Sequence, residues 1–177
     1  MHDAQITLTK TLVALGFGPA AVFGIWVCSA PDGDNFVGAL RDDIRVSMVA
    51  EQVVTLTNAI RHMIGSVSAR GSAKSSLTAA LIESGGVPIR MIDGTVVPPV
   101  IRSPWGTEIA LSSEGHSFSI SVPVSSYACA ELLLKLGRGF VANAYANGVR
   151  QQLPLASKSD VQGCTANAIN VVKFSFI

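Results

Sequence analysis

Residues 117–136 read SFSISVPVSSYACAELLLKL, and this stretch decides the fold. Phe118, Ile120 and Val122 alternate with Ser117, Ser119 and Ser121, which is the period of a strand with one buried face. Pro123 is expected to end that strand, because it has no N–H for a ladder bond. Ser125 and Ser126 are N-cap residue types. Behind them the spacing becomes helical over 127–136, and Gly137 stops it. Working outward, residues 108–112 alternate in the same way. With a turn at 113–116 they form an antiparallel hairpin with 117–122. A third strand is expected over 140–146, followed by an Asn147-Gly148 turn. Residues 171–176 alternate again and form the last strand. These elements predict an α+β domain: a meandering antiparallel sheet with helices against it.

The N-terminal half has a different texture. Val49, Val53, Leu56, Ile60 and Met63 recur at helical spacing, so an amphipathic helix over 36–64 is expected to lay one apolar stripe on the sheet. Asp42, Asp43 and Glu51 lie toward its start, and Arg61 and His62 near its end, as the helix dipole favours. Before it, residues 11–31 carry no charge. A membrane-spanning helix needs about 20 apolar residues, so this run is long enough. Gly16, Gly18, Pro19 and Gly24 interrupt it, which a helix in lipid or in a tight bundle tolerates. The run admits three readings: a removed signal peptide cut after Ala30, a lipid anchor on Cys28, or a retained helix leading into an exported domain. Lys10 before it and Asp32 and Asp34 after it agree with an N-terminus on the inside. Between the helix and the sheet, residues 69–104 are rich in Ser, Gly and Pro. They predict an ordered connecting loop over the sheet, with one short helix at 76–83.

Composition narrows the function. Only 14% of residues are charged and the net charge is +1, while the mean hydropathy is +0.44. A typical soluble domain is about 25% charged, so some apolar surface must meet lipid or a partner chain. No long-range field or basic run favours nucleic acid, and aromatic residues are only 6%. His2, His62 and His116 are far apart, the cysteines have no CxxC spacing, and no metal or other cofactor is expected. Neither GxSxG, HExxH, a phosphate loop nor a dinucleotide fingerprint occurs, so no residue is nominated as catalytic. Trp105, flanked by Pro104 and Gly106, is read as a packing anchor and not as a ligand platform.

The three cysteines are Cys28, Cys129 and Cys164. A Cys129–Cys164 bridge would close a polar loop of 35 residues and would contribute roughly 3.5–4 kcal/mol by loop entropy. Three unpaired thiols are the alternative. Cys28, inside the apolar run, is expected to stay unpaired.

From Val53 onward the pieces and their order resemble the type IVb pilins, specifically the PilS-like group. The similar segments are VVTLTNAIRHM, SGGVPIRMI, SPWGTEI, FSISVPVSSYACAELL, NGVRQQ and GCTANAINVVKFSF. The resemblance implies a leader at 1–5 and a helix over 6–68, apolar at 11–31 and amphipathic at 36–64. It implies a connecting loop at 69–104 and a sheet domain at 105–177 closed by the 129–164 disulfide loop. It also implies a structural, non-enzymatic subunit. Such a subunit would sit in the inner membrane as a precursor. It would then assemble with copies of itself and other pilus subunits into an extracellular filament that adheres to a host-cell or recipient-cell receptor. At the processing site ITLTKTLVAL resembles a mature pilin start at Ile6. Gln5 stands where the family has glycine, and Lys10 where it has glutamate. A secreted or membrane-anchored adhesin domain that does not polymerise, a minor pilin and a pseudopilin are the other readings.

Overall fold

A computed structural model of the chain describes residues 33–67, 76–114, 117–166 and 168–177. The expected leader at 1–5, the apolar run at 11–31 and Cys28 lie outside these residues.

Helix α1 spans Gly33–Val67. Val46, Val49, Ala50, Val53, Leu56 and Ile60 are buried along one side, and Met63 is packed at the margin of the core. Thr57 also faces inward, and its hydroxyl donates to the Val53 carbonyl at 2.7 Å, so that hydroxyl is satisfied. The helix runs past Arg61 and His62 to Val67 and has no basic residue in its last turn. The expected support of the helix end by these two residues is therefore weak, because the dipole acts mainly within the final turn.

The connecting region is more structured than a loop. Helix α2 spans Leu77–Glu83, and Ser76 Oγ accepts from the Ala79 N–H at its start. Gly85, at φ +71°, lets Gly86 N–H reach the Leu81 carbonyl and Gly85 N–H reach Ile82, a complete Schellman close. A 3-10 turn at Ile89–Met91 leads to β1 (Ile92–Asp93), which pairs antiparallel with β2 (Val100–Ile101). Leu81, Val87, Met91 and Ile101 are buried, so this region closes one end of the core.

The main sheet has five antiparallel strands: β3 (Ala110–Glu114), β4 (Ser117–Val124), β5 (Asn143–Ala146), β6 (Val149–Arg150) and β7 (Asn170–Phe176). Helix α3 (Ser126–Gly137) joins β4 to β5, and Ser125 Oγ accepts from Ala128 N–H as its cap. The strand order is β3-β4-β7-β5-β6. The sheet is therefore not the expected meander. Strands β4 and β5 are both antiparallel to β7, so they run parallel to each other, and parallel strands need a crossover, which α3 supplies. The last strand fills the gap that the crossover leaves. Val172, Phe174 and Phe176 put its apolar side on the face already formed by Phe118, Ile120, Val122, Ala144 and Ala146. Burying each Phe ring contributes about 1.5–3 kcal/mol, and Phe118 and Phe140 both pack on Phe176. That is the reason a C-terminal strand holds the middle of the sheet.

Two sequence expectations change here. Pro123 does not end β4, which continues to Val124. The Pro123 carbonyl accepts from Thr107 Oγ1, so it points to the β3 side, and its nitrogen points the same way. Pairing with β3 has already stopped at Ala110–Ser121, so no ladder bond is lost. The third strand begins only at Asn143, because Phe140 turns inward to meet Phe176 edge-on at 5.7 Å. Helix α3 lies on β5 and β7, and the nearest backbone neighbours of α1 are α3 and α2. One apolar core joins the α1 stripe, α3 and the inner sheet face.

Candidate functional site

Cys129 and Cys164 are bonded, with their Cα atoms 6.0 Å apart. Cys129 is buried on α3, and Cys164 packs against the core from the polar loop after β6. The alternative of three free thiols is thereby excluded for this pair. Gln5, Ile6 and Lys10 lie outside the described residues, as does His116. His62 is exposed on α1.

Trp105 sits half-buried against the core, with its backbone N–H on Ser103 Oγ at 3.2 Å. Its indole N–H points to Asp42 Oδ1 on α1 at 3.4 Å, a long bond. Arg102 fixes the turn from below. Its guanidinium holds Asp93 Oδ2 through Nε and Nη2, both at 3.0 Å, and donates to the Gly106 carbonyl. Asp93 is held below the usual carboxylate range, first by the Thr95 hydroxyl, then by the Thr95 N–H and by Arg102.

A polar seam joins α1, α3 and the disulfide loop. Tyr127 Oη donates to Asp43 Oδ1 at 2.6 Å. Lys158, from the loop, pairs with Glu131 of α3 and lies 5.3 Å from the centre of the Tyr127 ring. Lys135 donates to Ser47 Oγ at 2.8 Å. Retaining its proton for Asp43 pushes the Tyr127 phenol up to about 12. Beside the seam, Asp43, Val46, Ser47, Glu131, Leu134, Lys135 and Arg138 line an open groove of about 300 Å³.

The disulfide loop has a second tie. Asn170 is fully buried; its Oδ1 accepts from Asn147 Nδ2, Thr165 N–H and Thr165 Oγ1, and its Nδ2 donates to the Thr165 and Ala168 carbonyls. Asn147, at φ 48° in the expected turn, also donates to the Gly163 carbonyl and accepts from Val171 N–H. Gly163 has no room for a side chain: a Cβ there would stand 2.6 Å from the Ala146 carbonyl oxygen. The loop is thus held at its end by a covalent bond and by two buried or turn-borne amides.

Sequence reasoning found the cysteines, Trp105 and the Asn147-Gly148 turn. It missed the seam, because Asp43 and Tyr127 carry no local pattern. It also missed Asn170, although a polar residue at the inward position of an alternating strand is a usable signal.

Among the described residues, no group of three or more His, Cys, Asp or Glu side chains is placed to hold a metal ion. No helix among them is long and apolar enough to cross a membrane. No protein-family model and no curated protein matches the chain.

Proposed function

We propose that this chain is a pilin-type structural subunit of the type IVb, PilS-like kind, which polymerises through its N-terminal helix and performs no chemistry. The observation that carries the reading is the Cys129–Cys164 bond, which closes a C-terminal loop on a domain led by the long helix α1. The order of helix, connecting region, antiparallel sheet and closed loop is the order that the sequence resemblance implies. Ile44 and Met48 stay exposed on α1 while its opposite side is buried, so the helix keeps apolar surface to offer to a neighbour. In this reading the uncharged residues 11–31 first sit in the inner membrane and then pack with equivalent segments in a filament core. Burial of that apolar surface drives association. The sheet domain and the loop closed by Cys129 and Cys164 form the outside of the filament, where neighbours and a receptor are met.

Mass spectrometry of the mature N-terminus tests this. A product starting at Ile6 is expected. A product starting at Pro31 would instead mean a detached adhesin domain, and an intact residue 1 a permanently anchored one; either result overturns the proposal.

A further inference from the structure

The outer face of the sheet carries a feature that the filament reading does not use. Strand register puts Ser121, Lys173, Tyr145 and Arg150 side by side in one row across four strands. The next row is Ser112, Ser119, Ser175 and Asn143. Within the five strands the only acidic residue is Glu114, at the hairpin tip. It lies four residues along the strands from the Lys173 row, about 14 Å away at strand spacing. Among the described residues Lys173 has no hydrogen-bond or ion-pair partner, and Arg150 meets only Asn143 Oδ1, at 2.6 Å. Two cations therefore share a face of hydroxyls and amides and form no ion pair among the described residues; Glu108, exposed two residues before Ala110, is the carboxylate at the Ser121 end of that face.

A depression of about 490 Å³ opens at the Arg150 end of this face. That volume falls in the range of roughly 300–1,000 Å³ usual for small-ligand sites. Asn143, Arg150, Gln152 and Gln162 line it with donors and acceptors, and Leu153 adds an apolar wall. Gln151 is part of the frame, not of the binding surface. Its Nε2 donates to the Val149 and Gln162 carbonyls, and its Oε1 accepts from Gln162 N–H.

From this geometry we infer that the outer sheet face is a binding surface for an acidic polysaccharide of the polyuronate class. Sugar carboxylates pair with Lys173 and Arg150 through charge-assisted hydrogen bonds. Sugar hydroxyls meet Ser112, Ser121, Ser175 and Asn143, whose polar groups donate and accept, while Ser119 is buried and backs Ser112 through a 2.7 Å hydroxyl–hydroxyl bond. Tyr145, between the two cations, offers a ring and a hydroxyl to one sugar. The depression takes one or two units, and the chain continues across the strands toward Ser121. Nucleic acid fits less well, since the face has a single aromatic ring where base stacking needs several. The inference does not depend on polymerisation.

Binding of the full-length chain in detergent to alginate, to neutral dextran and to single-stranded DNA tests the inference. Alginate is expected to bind and to weaken with added salt, and dextran to bind far more weakly. The K173Q/R150Q double variant should lose about tenfold or more in alginate affinity. R90Q, which removes an exposed cation elsewhere, should change it little. If the double variant is misfolded by circular dichroism, K173Q alone serves, since that side chain has no partner to lose. Absent alginate binding, equal dextran binding, an equal loss in R90Q, or tighter DNA binding lost in the same variants would each overturn the inference.

Discussion

Tyr127 on α3 donates its phenolic hydrogen to Asp43 on α1 at 2.6 Å, joining residues 84 positions apart in the chain. The apolar stripe from Val46 to Ile60 holds α1 on the domain, but apolar packing is non-directional. The hydrogen bond adds direction: it sets the rotation and axial register of α1 against α3. Lys158 and Glu131 extend the same seam to the disulfide loop. In the proposed filament, the helix and the outer loop would then move as one body.

The first expectation concerns alkaline pH. The Tyr127 phenol is pushed up to about 12, mainly by donating to Asp43. Its pKa is raised on folding, so its contribution to stability is complete below the unfolded value near 10 and is lost as pH rises through about 12. Absorbance titration should show Tyr127 ionising last, and Asp43→Asn should bring that ionisation down. Tyr127→Phe should cost about 0.5–1 kcal/mol by urea unfolding, less than a buried charged bond would, because Tyr127 is 38% exposed. Unchanged titration in Asp43→Asn would separate the two groups in solution.

The disulfide should dominate the stability of the C-terminal half. Replacing both Cys129 and Cys164 with Ser should lower unfolding free energy by about 2–4 kcal/mol. Non-reducing peptide mapping should recover the 129–164 link from native protein. A free Cys164 in that map would contradict the packing described for the loop.

Asn170 is a sharper test, since its amide is buried and fully used. Asn170→Asp keeps the size and removes both N–H donors, leaving a carboxylate facing the Thr165 and Ala168 carbonyls. A loss of about 2–4 kcal/mol is expected, with amide exchange accelerating first around residues 163–171. Asn147→Ala should cost less, because it sits at the surface. Equal, small effects of the two changes would show that the tie is not buried in solution.

Acid should loosen the Trp105 turn. Asp93 is held below the usual range by Thr95 and Arg102, so its support is present above the ordinary carboxylate value and is lost as pH falls through the lowered one. Carbon-detected titration should place Asp93 below an ordinary aspartate, and Thr95→Ala should move it up. An Asp93 that titrates normally in both proteins would remove the clamp from the account.

Much of the fold is legible in the residues, for a physical reason. The α1 stripe and the alternation in β4 and β7 both record one buried face, and burial is what periodicity reports. Ser125 announces the start of α3 because an N-cap is a local bond. Strand order is different. That β7 enters between β4 and β5 depends on the crossover by α3, which no short window contains. Pro123 misleads for the same reason: whether a strand tolerates proline depends on which neighbour its nitrogen faces. Of the candidate site, the disulfide was readable from the two cysteines flanking a polar loop. The seam was not, because Asp43 and Tyr127 are each ordinary polar residues until tertiary packing brings them together. Lys173 and Arg150 are likewise plain surface cations in the sequence, and only register puts them in one row.

Immunogold electron microscopy tests the central proposal most directly, with antibody raised against residues 149–164 and cells with and without the gene. Label spaced along surface filaments, with both label and filaments gone when the gene is deleted, is the outcome the proposal predicts. Filaments unchanged by the deletion, with the product found only as single molecules in the membrane or the medium, would contradict it.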